Sequence, residues 1–267
     1  MNYHSRFGME FNPFIKNTNN ILVETEEYRE VIVRLNYLLN NKGFGLITGS
    51  AGKGKTTAIR NWVKTLNQSL YKVVYIPITT ITCVEFYRYL ANELGLESHY
   101  KKYQNFTAIQ KEINRLVMEK RITPVIILDE ANHINSNILN DLKILFNFEM
   151  DSRDRAVVIL TGLPALNNTL RVNSQEPLRQ RITMNYNLEG LTKEEASIYI
   201  KEKIRKANGI ESVFTPNAIE GIINAANGTP RIIDKICNSC MIIADNKKME
   251  TINQDIVMMA VNETELA

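Results

Sequence analysis

A short glycine-rich stretch carries the strongest chemical signal in this 267-residue sequence. Gly49 and Gly54 are spaced as G-x-x-x-x-G, and Lys55 and Thr56 follow directly. In such a loop the backbone N–H groups and the positive end of the following helix bind phosphates. The lysine reaches the β- and γ-phosphate oxygens, and the threonine hydroxyl binds Mg²⁺. We therefore interpret this stretch as a binding site for ATP and Mg²⁺ rather than as an ordinary glycine-rich turn. The predicted contacts are Gly49, Ser50, Ala51, Gly52, Lys53, Gly54, Lys55, Thr56 and Thr57.

An acidic pair follows a continuous apolar run further along the chain. Residues 125–128 are all apolar, which is typical of a strand buried on both faces of a parallel sheet. The run ends at Asp129 and Glu130. One carboxylate at such a position can hold Mg²⁺, and the second can activate the attacking water. We predict that Asp129 is the metal ligand and Glu130 the catalytic base.

These groups require a sheet that brings distant residues to one edge. Apolar patterning predicts strands at 44–48, 73–76, 125–128 and 156–160. It predicts helices at 57–66, 84–94 and 107–120, and another from Ser136 towards Met150. Alternating strands and helices form right-handed crossovers, so we expect a three-layer α/β core with a parallel sheet. Ligands bind at the carboxyl ends of such strands.

The pattern changes to helices alone after about Gly190. A capping sequence begins at Thr192, and further helices are predicted near 216–226, 230–245 and 252–263. We expect a small, all-helical domain here.

Composition limits the class of protein. The apolar fraction of 44% and the charged fraction of 23% are typical of a globular chain, and the net charge of +3 neither requires nor excludes nucleic acid. No apolar run is long enough to span a membrane and no signal peptide is evident, so we predict a cytoplasmic protein. The C-x-x-C pair Cys237 and Cys240 is predicted to be helix core, and His133 a loop or helix-start residue rather than a ligand.

Taken together, the motifs resemble those of AAA+ ATPases over nearly the whole chain. Thr161, at the end of a predicted strand, resembles sensor 1, which implies contact with the γ-phosphate or the attacking water. Arg179 and Arg181 lie in a segment that resembles the one bearing the arginine finger, which acts on a neighbouring subunit's ATP. We prefer Arg181 as the finger, and the alternative is that these arginines form surface ion pairs. Arg231, in a Gly-Thr-Pro-Arg sequence, resembles sensor 2.

The resemblance within this family is to ExeA-like ATPases and to the TnsC, TniB and MuB-type regulators of transposition. The amino-terminal stretch 7–14 is similar to a Phe-Gly and Pro-Phe segment that packs beside adenine in those proteins. This similarity implies that Pro13 and Phe14 contact the nucleotide, and the alternative is a hydrophobic anchor. The implied domains are an amino-terminal segment with the first helix at 1–40, the ATPase core at 41–190 and a helical lid at 191–267.

The resemblance implies an ATPase that assembles with ATP into a homo-oligomer, as a ring or filament, on double-stranded DNA without strong sequence preference. It would mark target DNA and recruit a DDE-type transposase, with no membrane association. Alternatives are an ExeA-like secretion ATPase, a helicase loader or a nucleotide-gated signalling switch. A secretion ATPase is expected to add a membrane helix and a peptidoglycan-binding domain after the lid, whereas the sequence ends at Ala267.

Candidate DNA contacts follow from the same resemblance. It places them on the core, near the helices after the second strand. Residues 97–121 contain six Lys or Arg against three Asp or Glu, an excess that a solvated helix face explains equally well. The candidates are Thr79, Thr80, Lys101, Lys102 and Lys111.

Overall fold

The computed structural model describes residues 3–16, 21–78 and 80–265. The strands are β1 (Gly43–Gly49), β2 (Tyr71–Ile76), β3 (Thr123–Leu128), β4 (Val157–Gly162) and β5 (Ile182–Leu188). The helices are α1 (Glu26–Asn41), α2 (Lys55–Thr65), α3 (Cys83–Glu93), α4 (Lys102–Met118), α5 (Ser136–Leu145), α6 (Ala165–Arg171), α7 (Glu176–Arg181), α8 (Lys193–Lys206), α9 (Pro216–Ala226), α10 (Pro230–Asn246) and α11 (Gln254–Glu265).

The chain forms two compact units. The sheet unit comprises Glu30–Ala51 and Lys55–Leu188, and the helical unit comprises Met1–Arg29, Gly52–Gly54 and Glu189–Ala267.

The sheet unit contains a five-stranded parallel sheet in the order β2-β3-β4-β1-β5. Phe44 and Leu46 of β1 join a core cluster with residues of α3, α4 and α5 on one face. A Cβ at Gly45 would meet the side chain of Leu38, so α1 covers the other face. This arrangement confirms the predicted three-layer α/β fold.

The carboxyl ends of four neighbouring strands are aligned by register. Thr48 in β1 pairs with Gly162 in β4, while Leu128 in β3 pairs with Ile76 in β2 and Leu160 in β4. The glycine-rich loop, Asp129 and Thr161 therefore emerge at one edge of the sheet, because parallel strands end on the same side.

Strand β5 was not predicted from the sequence. Its side chains alternate between buried and accessible positions, and it lies at the edge of the sheet beside β1. An edge strand buried on one face lacks the continuous apolar run that identifies β3. The expectation of four strands is therefore corrected to five.

Two helix boundaries also differ from expectation. Helix α4 begins at Lys102 rather than near residue 107, and α5 ends at Leu145 rather than near Met150. Left-handed backbone at Glu149 and Met150 is incompatible with a continuing helix. Helix α5 begins at Ser136 as predicted, and Asn135 caps it by accepting from the Asn137 N–H.

The helical unit has its own core, contributed by α8 to α11 together with the amino-terminal segment. Thr192 caps α8 in a reciprocal box with Glu195, as predicted. Cys237 and Cys240 are buried in this core, and burial raises the pKa of Cys240 to about 12. This confirms that the cysteine pair is structural. Among the helices that the structure describes, none has the length and apolar character needed to cross a bilayer.

Candidate functional site

The turn between β1 and α2 has the backbone that a phosphate-binding loop requires. Gly54 has φ +103°, a region that favours glycine, and an added Cβ there would meet no atom within 4 Å. Lys55 begins α2 directly after this turn. The N–H groups of the first helical turn have no intrahelical acceptor, so they supply donors for an anion.

Lys55 is held against its own loop. The residue is only 6% exposed, and its ammonium donates to the carbonyls of Gly49 at 2.6 Å and Ser50 at 3.1 Å. These bonds compensate part of the cost of burying the charge. The loop thus holds the Lys55 ammonium at the end of β1, where it is needed to bind phosphate oxygens.

Thr56 and Asp129 are in direct contact. The Thr56 hydroxyl donates to Oδ2 of Asp129 at 3.1 Å, and Oδ1 of the same carboxylate accepts from the Glu130 N–H at 3.0 Å. Asp129 is 6% exposed. The two predicted Mg²⁺ ligands therefore lie together as a pair of hard oxygen donors, the chemistry that this ion prefers.

Glu130 lies at an unusual backbone position. Its φ of 52° and ψ of 39° are left-handed, which costs a non-glycine residue roughly 1–2 kcal/mol. The chain turns sharply there, because β3 has just ended and a 3-10 turn, Ala131–His133, begins. Such outliers cluster at functional sites, and this one carries the exposed predicted base. His133 lies in this turn, as expected.

Thr161 is fully buried in β4, and its hydroxyl has no hydrogen-bond partner among the residues that the structure describes. An unsatisfied buried hydroxyl costs about 1–3 kcal/mol. It fits a sensor role, because it can bond to a ligand oxygen without giving up a protein partner. A bound phosphate or water would therefore offset this cost.

Two residues near the acidic pair were missed by sequence reasoning. The Tyr75 hydroxyl donates to Oδ2 of Asp129 at 2.7 Å. Burial, followed by this hydrogen bond, raises the pKa of Tyr75. Asn132 accepts from the Leu163 N–H at 2.9 Å, which ties the turn after β3 to the end of β4. The spacing of residues in the sequence predicts neither contact, since both depend on strand order.

A polar contact also fixes the end of β1. The buried Thr48 hydroxyl donates to Asn187 of β5 at 3.0 Å and accepts from Asn167 of α6 at 3.2 Å. The strand is therefore anchored one residue before the loop begins.

The two candidate finger arginines have different surroundings. Arg181 donates to the carbonyls of Lys143 and Phe146, forms ion pairs with Asp151 and Asp154 at 3.3 Å, and is 17% exposed. Arg179 is exposed, and one of its guanidinium nitrogens donates to the Arg171 carbonyl at 3.1 Å. The geometry favours Arg179 as the finger, the reverse of the preference from the sequence, because Arg181 would have to leave several partners to act elsewhere.

In the helical unit, Pro230 and Arg231 open α10 as expected for a sensor 2 segment. Arg231 is exposed, and its backbone N–H donates to the Gly52 carbonyl at 3.4 Å. Its contact with phosphate stays a prediction.

The amino-terminal segment is anchored in the helical unit. Phe14 is 5% exposed and packs edge-on against Phe214, with ring centroids 6.2 Å apart. The Lys203 ammonium lies 5.6 Å from the Phe14 ring centroid, and Pro13 is also buried. This confirms the hydrophobic-anchor interpretation, and contact of Pro13 and Phe14 with adenine stays a prediction.

The candidate DNA contacts divide into three groups. Thr80, Lys101 and Lys111 are exposed. Lys102 forms an ion pair with Asp141 at 2.5 Å, and its assignment as a DNA contact stays a prediction. Thr79 lies outside the described residues.

Comparisons with known proteins agree with this geometry. Residues 38–170 match a family described as AAA domain. General secretion pathway protein A of Aeromonas hydrophila is 30% identical over 252 residues, covering 91% of this chain. The chain spans 45% of the length of that relative.

Solved structures share the fold at low sequence identity. The ORC1 protein of Aeropyrum pernix in complex with DNA gives a TM-score of 0.69 at 17% identity, covering 95% of this chain and 69% of that one. The ORC2 protein of the same organism, in ADPNP and ADP complexes, gives 0.68 at 18% identity, covering 95% and 71%. The family match over residues 38–170, the shared architecture and the strand order agree on one conclusion: the chain has the α/β P-loop fold of AAA proteins, with helices after its parallel sheet.

Proposed function

We propose that the chain binds ATP with Mg²⁺ at the loop Gly49–Thr56 and hydrolyses it. The observation that carries this proposal is the contact between Thr56 and Asp129, beside a lysine held in its own loop. An ordinary glycine-rich turn does not explain why a hydroxyl and a carboxylate from distant segments meet there.

Each residue has a defined task in this proposal. Lys55 and the α2 N–H groups bind phosphate oxygens, and Thr56 and Asp129 hold the metal. When bound, Mg²⁺ would supply positive charge that stabilises the developing negative charge on the phosphates. Glu130 accepts a proton from the attacking water, and Thr161 orients that water or the γ-phosphate.

The position of α7 supports action between subunits. Helix α7 ends where β5 begins, at the amino-terminal edge of the sheet, whereas Asp129 follows the carboxyl end of β3. A strand of this length separates the two edges by roughly 20 Å. Arg179 would therefore stabilise transition-state charge on the ATP of a neighbouring copy, which requires a homo-oligomer in ring or filament form.

We infer that the partner of the assembled ATPase is double-stranded DNA, bound without strong sequence preference. Lys101 is exposed between two exposed aromatic residues, Tyr100 and Tyr103, which are 88% and 62% accessible. The fully buried Asn105 side chain accepts from the His99 N–H at 2.7 Å and donates to the His99 carbonyl at 2.8 Å. The loop that carries Tyr100 and Lys101 into α4 is thus fixed in advance, which lowers the entropy cost of binding.

The DNA proposal is tested by fluorescence anisotropy of a labelled random-sequence duplex with ATP, ADP or no nucleotide, across a salt series. Lys101→Glu with Lys111→Glu should weaken binding and flatten the salt slope, because phosphate contacts release counterions. Lys64→Glu with Lys248→Glu, two other exposed positions, makes the same charge change and should have a smaller effect. Binding that is absent in every nucleotide state would contradict the DNA assignment.

A secretion-associated role is the second candidate, and the 30% identity to general secretion pathway protein A favours it. Nucleotide binding and hydrolysis without DNA binding is the outcome that it predicts. Regulation of transposition, with recruitment of a DDE-type transposase, stays a prediction from the sequence, since neither the family match nor the relatives described above name a transposition protein. Co-purification with an added transposase on DNA, dependent on ATP, would support it.

A further inference from the structure

The Tyr75 hydroxyl is the second side-chain donor to the carboxylate oxygen that Thr56 contacts. It lies 2.7 Å from Oδ2 of Asp129, whereas the Thr56 hydroxyl lies 3.1 Å from the same atom. The Glu130 N–H occupies the other oxygen, Oδ1, at 3.0 Å. The orientation of this carboxylate is therefore set by three donors, of which one comes from the neighbouring strand β2.

Strand register makes the Tyr75 contact possible. Tyr75 pairs with Ile127 in β3, two residues before Asp129, and the Asp129 N–H donates to the Ile76 carbonyl at 3.0 Å. The last residues of β2 thus hold both the backbone and the side chain of Asp129. Tyr75 is itself 41% exposed on an edge strand, so its ring contributes little to the core.

We propose that Tyr75 is a positioning residue for the metal site, which holds the Asp129 carboxylate in the rotamer that accepts Mg²⁺. This inference rests on the proposed function. The Thr56 hydroxyl is assigned to the metal, which it would bind through a lone pair of its oxygen. The Tyr75 hydroxyl has no assignment to the metal or the nucleotide, so its bond to Asp129 is available to hold the carboxylate in place.

The test is Tyr75→Phe, which removes the hydroxyl and keeps the ring. Binding of a fluorescent ATP analogue is titrated with Mg²⁺, and a parallel titration is made in EDTA. A lost hydrogen bond to a charged group at a partly exposed position is expected to raise the Mg²⁺ concentration at half-saturation about three- to tenfold. Affinity measured in EDTA should be unchanged, since Tyr75 is not assigned to the nucleotide.

The matched control is Tyr71→Phe, at the opposite end of the same strand, paired with Thr123. It should leave both titrations unchanged. If Tyr75→Phe binds Mg²⁺ and nucleotide as the wild type does, or loses affinity equally in EDTA, the positioning role is wrong while the proposed function stands. If the wild type binds no nucleotide, the proposed function itself fails. A lower Mg²⁺ concentration at half-saturation in Tyr75→Phe would also overturn the inference, because it would show that the hydroxyl competes with the metal.

Discussion

The Thr56 hydroxyl donates to the Asp129 carboxylate at 3.1 Å, although 73 positions separate the two residues in the chain. Thr56→Val keeps the shape of the side chain and removes the oxygen. We expect Mg²⁺-dependent nucleotide binding to weaken by about tenfold or more, because one of the two protein ligands is lost. Isothermal titration calorimetry with and without Mg²⁺ checks this. Thr65→Val, at the other end of α2, is the control, and an equal loss in both variants would refute the ligand assignment.

Gly54 and Gly95 provide a matched pair for the loop. Both have positive φ, +103° and +82°, and neither has an atom closer than 3.7 Å to an added Cβ. Alanine at either position should cost roughly 1–2 kcal/mol of stability from backbone strain. Only Gly54→Ala should also weaken ATP binding. The strain changes the backbone of the loop whose N–H groups must bind phosphate. Urea unfolding and nucleotide titration separate the two effects, and equal ATP affinity in both variants would argue against the loop.

The arginine finger is identified by mixing variants. Arg179→Ala should lower turnover by about 10³-fold, because the transition-state charge loses its partner. Mixed with Glu130→Gln, it should recover activity, since some interfaces then pair an intact finger with an intact base. Arg181→Ala is expected to act through stability instead, as its partners are within its own subunit. Recovery in Arg181→Ala mixtures alone would restore Arg181 as the finger.

A buried ion pair in the helical unit gives a pH-dependent prediction. Lys203 is 6% exposed and its ammonium lies 2.6 Å from Asp234, which also accepts from the Tyr199 hydroxyl at 3.1 Å. Desolvation raises the pKa of Asp234, and Lys203 opposes that rise. Lys203→Met should cost about 3 kcal/mol at pH 8, because a partly buried carboxylate loses its partner.

The cost of Lys203→Met should fall as the pH is lowered. An acid whose folded-state pKa lies above its unfolded value binds more protons when folded, so stability rises as the pH falls through that pKa. Denaturant unfolding at pH 8 and pH 5 measures this. The control is the double variant Lys203→Met with Asp234→Leu. Its free energy of unfolding should lack the pH dependence that Asp234 contributes. A cost that grows towards pH 5 would contradict the account.

Sequence reasoning was most successful where a motif is contiguous. The order of Gly54, Lys55 and Thr56 sets both the turn and the start of α2, and the run before Asp129 identifies a strand buried on both faces. Such local motifs predict local geometry directly, because backbone conformation and burial follow from neighbouring residue types.

Contacts between distant segments could not be predicted from the sequence. Tyr75 reaches Asp129 only because β2 and β3 are neighbours, and Thr48 meets Asn187 only because β5 lies beside β1. The sequence does not state strand order, and β5 itself was missed. Arg181 illustrates the same limit, since its carbonyl and carboxylate partners come from segments up to 38 positions away.

The central claim is that one site binds ATP through Lys55 and hydrolyses it through Glu130, and single-turnover hydrolysis measured beside nucleotide binding tests it most directly. Lys55→Ala should abolish binding, because the lysine contacts phosphate in the ground state. Glu130→Gln should bind ATP with nearly wild-type affinity and hydrolyse it at least about 100-fold more slowly, because it lacks the base. Wild-type single-turnover rates in Glu130→Gln, or unchanged ATP affinity in Lys55→Ala, would contradict the account.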